Sequence, residues 1–97
     1  MGEFQLRLTS QAARDLREIV AYIARDNLVA AERFGLALVE KAELLTKFPL
    51  LGKKVQGTKN DRVLVEDPIL VFYQPDNAVG VIVIKRFWHG ARGAPPT

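Results

Sequence analysis

Cysteine is absent from all 97 residues, so the chain has no disulfide framework and no thiolate metal site. It has one histidine, His89, which leaves a zinc site dependent on carboxylates with no recognisable ligand spacing. No apolar run approaches the roughly 20 residues that span a bilayer, and Met1 to Gln5 lacks the basic and then apolar order of a secretory leader. No membrane association is expected, and the cytoplasm is the expected compartment. The glycine-rich loops that cradle nucleotides and the G-x-S-x-G nucleophile elbow are missing as well. No cofactor is implied.

What is present is an ordinary globular balance, 48% hydrophobic and 26% charged residues, in a length that suits one domain over residues 1–97. The net charge of +3 is small, but its placement is uneven. No acidic residue follows Asp76, whereas Lys85, Arg86 and Arg92 do, and the segment from Leu51 to Arg62 sets Lys53, Lys54, Lys59 and Arg62 against Asp61 alone. If the two segments meet, they form a basic patch able to face phosphates or acidic side chains; otherwise they are a solvated surface.

Phe4, Leu6 and Leu8 alternate with Gln5 and Arg7, the period of a half-buried strand. Thr9 and Ser10 then offer a cap to a helix from about Gln11 to Arg25, with Leu16, Ile19, Val20 and Ile23 on one stripe. Asp26 and Asn27 break it. A second helix from about Val29 carries Ala31, Phe34, Leu38, Leu45 and Phe48 on one face, and Pro49 ends it. Three β-rich runs follow, Arg62 to Glu66, Ile69 to Gln74 and Val79 to Phe87, separated by Asp67-Pro68 and Pro75-Asp76-Asn77. The expectation is an α+β domain of order β-α-α-β-β-β, a helical hairpin on one face of a small twisted antiparallel sheet.

Ile69 to Tyr73 and Val79 to Ile84 are apolar on both faces, so both faces of these strands call for cover. The helices cover one. Residues 49–61, the C-terminal tail or a partner chain could cover the other. Tyr73 is expected to pack its ring there, with an acid-base role as the less common alternative. Trp88 and Phe87 suit packing, or stacking on bases beside arginine.

His89 follows a strand directly, with Arg86 and Arg92 three residues away on either side. Imidazole near neutrality moves protons, and guanidinium groups bind phosphate oxygens in pairs. The same residues would equally grip an acidic partner, or a single histidine could serve structure alone.

The stretch DLREIVAYIARDNLVAAERFGLALVEKAELLTKFPLLGKKV resembles the helical hairpin of the ParE/RelE superfamily of toxins from type II toxin-antitoxin systems. VIVIKRFWHGAR resembles the last strand and H-G-A-R signature of its ParE-like branch. The resemblance implies the same β-α-α-β-β-β fold and neutralisation by a small antitoxin, with toxin and antitoxin able to form a heterotetramer. It assigns the twice-apolar sheet, at Val71, Tyr73, Val81 and Val83, to that partner. For a ParE-like chain it implies inhibition of DNA gyrase, with Lys85, Trp88, His89 and Arg92 on the toxic surface. The alternative is a metal-independent, ribosome-dependent messenger RNA endoribonuclease. In that reading Lys53, Lys54, Arg62 and Arg86 hold the phosphate, and His89 stands where RelE-like members carry a C-terminal tyrosine. A third alternative is a binding module without toxicity.

Overall fold

The computed structural model describes residues 4–90. Its elements are β1 (Gln5–Leu8), α1 (Ser10–Asp26), α2 (Leu28–Lys47), β2 (Lys53–Lys54), β3 (Arg62–Glu66), β4 (Ile69–Asp76) and β5 (Val81–His89). Both helices pack on one face of a five-stranded sheet ordered β1-β5-β4-β3-β2.

The helical hairpin is set by its caps. The Thr9 side chain accepts from the Ala12 N–H at 3.0 Å and starts α1. Asn27 closes α1 with its backbone N–H on the Ile23 carbonyl, and its side chain accepts from the Ala30 N–H to open α2. One residue therefore reverses the chain, and each side-chain cap is worth about 1 kcal/mol. Ala12 and Ile19 of α1 and Ala31, Leu38 and Leu45 of α2 are buried, as their helical spacing requires. Phe48 departs from the expected stripe. It lies past the last helical turn with a non-helical backbone and is 57% exposed.

The sheet is mixed rather than antiparallel throughout. β3, β4 and β5 form antiparallel neighbours, but β1 runs parallel to β5, with Gln5 opposite Val81 and Leu8 opposite Ile84. The helical hairpin is part of the long connection that a parallel return needs. Lys53 and Lys54 add a two-residue edge strand that hydrophobic alternation could not reveal.

Pro75 sits inside β4 opposite Ile82, not in a turn. Its carbonyl accepts from the Asn60 side chain, on the side where β3 has already ended, so its missing N–H leaves no β3 pairing unmade. The reversal falls instead at Asn77 to Gly80. There Asp76 accepts from Ala78, and Gly80 takes a positive φ of 69°. Asp67-Pro68, joined by a cis bond, makes the β3–β4 turn.

The core joins the helical stripe to Ile69, Val71 and Tyr73 of β4 and Ile82, Ile84 and Phe87 of β5. Each large apolar side chain buried there contributes about 1.5–3 kcal/mol before entropy. The register places Val63, Val65, Leu70, Phe72, Val83 and Trp88 on the opposite face. These are half-buried, except Val65, which is exposed. Among the described residues no helix packs on that face.

Candidate functional site

A β-bulge shapes the end of β5. Tyr73 faces Ile84 while Phe72 faces Arg86, so Lys85 has no opposite number. Beyond it, Phe87 and His89 turn toward the helices, and Arg86 and Trp88 share the outer face. β1 has already ended at Leu8, leaving the last five residues of β5 without a strand on that side.

Side chains near and within α1 take the place of that strand. The Thr9 hydroxyl donates to the Lys85 carbonyl at 3.0 Å, and Asp15 accepts from the Phe87 N–H at 3.1 Å. Asp15 also accepts from Arg86 Nε at 2.8 Å, from a second Arg86 nitrogen at 3.1 Å, and from Gln11 Nε2 at 2.8 Å. It is 5% exposed, the one charged side chain in the core among the described residues. Burial pushes the Asp15 carboxyl up, but hydrogen bonds from Arg86, Gln11 and the Phe87 N–H, with the Arg86 charge, hold it below its ordinary value. The bond to Asp15 raises Arg86 in turn, against the opposing effect of burial. The Arg86 guanidinium lies 5.2 Å from the centroid of the Trp88 ring, within cation-π range.

Lys85 reaches across β4 to Asp61, with Nζ–O distances of 3.0 and 3.2 Å. This joins the two basic segments, but through an ion pair rather than as a patch of free cations.

Arg62 donates to the carbonyls of Leu50 and Gly52 from one terminal nitrogen, at 3.3 and 2.8 Å, and its buried Nε has no hydrogen-bond partner. Tyr73 is wholly buried. Its hydroxyl donates to the Pro49 carbonyl and accepts from the Gly52 N–H, both at 2.8 Å. Burial raises the Tyr73 phenol above its ordinary value, against the Gly52 bond and the Arg62 charge. Arg62 and Tyr73 thus fasten the loop between α2 and β2, and Lys53 and Lys54 leave it exposed on an edge.

His89 lies elsewhere. It lines a cavity of about 360 Å³ with Ile19, Tyr22, Ile23, Phe34 and Ile69, opposite Ile69 in register. Arg62 is opposite Tyr73, four residues along β4 and two strands across from His89. Those offsets put the two backbones roughly 13 Å apart along the strands and about 10 Å across them. Lys53, Lys54, Arg62, Arg86 and His89 therefore do not converge. Arg86 and Arg62 are held by protein acceptors, and His89 opens on the helix side.

The expected partner surface also divides. Val71 and Tyr73 are 3% and 0% exposed beneath the helices, because their register places them inward. This corrects their assignment to a free face. Val81 and Val83 are half-buried on the opposite face. Arg92 lies outside the described residues.

Sequence reasoning missed Asp15. Its signal was an acidic residue three and four positions from Ala12 and Ile19, hence on the buried stripe. A second missed feature is an apolar groove of about 590 Å³ where Leu16 and Val20 of α1, Leu36 and Val39 of α2, and Leu6 and Leu8 of β1 converge.

Two helices on a mixed sheet of this order form an architecture shared with chains of two solved complexes. The RelBE2 toxin-antitoxin complex of Mycobacterium tuberculosis contains a chain with a TM-score of 0.72 and 24% identity, over 91% of this chain and 99% of that one. A chain of the chromosomal ParDE toxin-antitoxin system of P. aeruginosa gives 0.74 and 20%, over 90% and 96%. No curated protein matches in sequence. The model of the ParE toxin of the type II toxin-antitoxin system parDE matches residues 6–93, and the chain belongs to that family.

Proposed function

We propose that this toxin acts by binding and inhibiting DNA gyrase, and that a cognate antitoxin neutralises it. The carrying observation is the dispersal of the nuclease candidates. Arg86 is spent on Asp15, Arg62 on loop carbonyls, and His89 faces an apolar cavity two strands away from Arg62. Metal-free phosphate cleavage needs its cations and proton carrier within hydrogen-bond reach of one phosphate. Binding needs no such convergence. Trp88, with the Asp15-bound Arg86 over its ring, forms an aromatic and polar surface beside half-buried Phe72 and Val83, a composition suited to a protein interface.

The groove between α1, α2 and β1 suits an amphipathic antitoxin helix. Leu36 and Val39 are 66% and 56% exposed there and would be covered on binding. This separates neutralisation on the helical side from target contact on the sheet side.

The test is a supercoiling assay with purified chain and gyrase, run beside a ribosome-dependent messenger RNA cleavage assay. Loss of supercoiling with RNA intact, relieved in Trp88→Ala, is the expected result. RNA cleavage that disappears in His89→Ala, with supercoiling untouched, would overturn the proposal in favour of the endoribonuclease. Activity in neither assay would leave a binding module.

A further inference from the structure

We infer that Asp15 is the positioning residue of the toxic surface, holding the Arg86 guanidinium over the Trp88 ring from the far side of the sheet edge. The inference rests on the gyrase-binding reading, because it concerns the geometry of that same surface.

Arg86 and Trp88 are two residues apart on one face of β5, so proximity along the strand comes from the pleat. Orientation does not. An arginine on a half-open sheet face has several extended rotamers, and ordering one costs entropy that a binding surface otherwise loses at the moment of contact. Asp15 removes that freedom. Two of its bonds go to two nitrogens of the guanidinium and one to the Phe87 N–H, the backbone between Arg86 and Trp88. The same carboxylate thus fixes the cation's plane and the strand carrying the ring. Gln11, one helical turn earlier, donates to Asp15 and orients the carboxylate.

The bulge at Lys85 and the early end of β1 make this arrangement possible. A β1 two residues longer would occupy the β5 edge that Asp15 uses, and an unbulged β5 would turn Arg86 toward the helices and Phe87 away. Asp15 is therefore remote from any target yet linked to the target-facing side by a single layer of bonds. The prepared surface is a fixed guanidinium lying over an indole at cation-π distance. It suits a protein partner presenting a hydrogen-bond acceptor beside an apolar group, since Asp15 already balances the charge.

Trp88 is the sole tryptophan, so its emission reports this geometry directly. The experiment uses the full chain and compares Asp15→Asn, Arg86→Lys and Trp88→Ala in gyrase inhibition, antitoxin binding and, where Trp88 remains, fluorescence. Asp15→Asn is expected to raise the half-inhibitory concentration roughly tenfold, equivalent to about 1.4 kcal/mol. It should also red-shift Trp88 emission and leave antitoxin affinity unchanged. Arg86→Lys keeps both the charge and Asp15 but loses the planar fork, and should match both effects should Asp15→Asn fail to fold. In the Arg86→Lys background, Asp15→Asn should add little, since the two act as one unit. Unchanged emission and inhibition in folded Asp15→Asn, or in Arg86→Lys if only that variant folds, overturns the positioning role. Full inhibition by Trp88→Ala would instead overturn the reading of the surface on which it rests.

Discussion

Replacing Tyr73 by Phe keeps the ring in the core and removes one oxygen, yet that oxygen closes two bonds of 2.8 Å. The Gly52 N–H belongs to a buried residue and would lose its acceptor, while the Pro49 carbonyl would lose a donor. Leaving a buried backbone donor unpaired costs about 1–3 kcal/mol, offset slightly because a phenol no longer has to be taken out of water. The net expectation is about 2 kcal/mol. In a domain of this size each kcal/mol lowers the melting temperature by roughly 4–8 °C, so Tyr73→Phe should melt about 10 °C below the parent. Circular dichroism during heating gives the shift, and urea unfolding should show a lower midpoint with the same slope, since the surface exposed on unfolding is nearly unchanged. A melting temperature within about 2 °C of the parent would refute the reasoning. It would mean that Arg62, bonded to the Leu50 and Gly52 carbonyls, holds the loop unaided.

Three further tests probe the same architecture. A Cβ on Gly52 would lie 2.7 Å from the Val63 carbonyl oxygen and 2.8 Å from Tyr73 Cε1, so Gly52→Ala should destabilise by about 3 kcal/mol in urea. Gly35→Ala meets nothing within 4 Å in the middle of α2 and should stabilise by about 0.5–1 kcal/mol. Acid should separate the parent from Asp15→Asn. The folded Asp15 carboxyl lies below its unfolded value, so its contribution is complete above about pH 4 and disappears as pH falls through the folded pKa. The stability gap between parent and variant should be widest near neutrality and close below about pH 4 in unfolding titrations; a gap that widens on acidification would contradict the assigned sign.

The elements were legible where periodicity was strong. Leu16, Ile19, Val20 and Ile23 marked α1, Thr9 and Asn27 marked its ends, and the β-branched run at Val81 to Ile84 marked β5. Strand direction was not, because the direction of β1 depends on where β5 returns, 76 residues later, and not on any local pattern. The cationic residues of the candidate site were readable as types. Their pairing was not, since Arg86 is joined to Asp15 across 71 positions and Lys85 to Asp61 across 24. Val71 and Tyr73 failed as partner residues for a related reason. A strand apolar on both sides does not say which alternate set meets the helices, and one residue of phase decides it.

The position of β5 also gives this toxin a timetable. β5 is the last strand in sequence, yet it lies between β1 and β4, and β1 has no other strand neighbour among the described residues. A growing chain that has reached only Gly80 can form its helices and the β3–β4 hairpin, but β1 must wait. Trp88, Arg86 and the contact with Asp15 arrive in that same closing segment. Synthesis therefore delivers the sheet's keystone and the bonds to Asp15 together, so an unfinished chain lacks at once the strand that β1 pairs with and the backbone that the buried carboxylate needs.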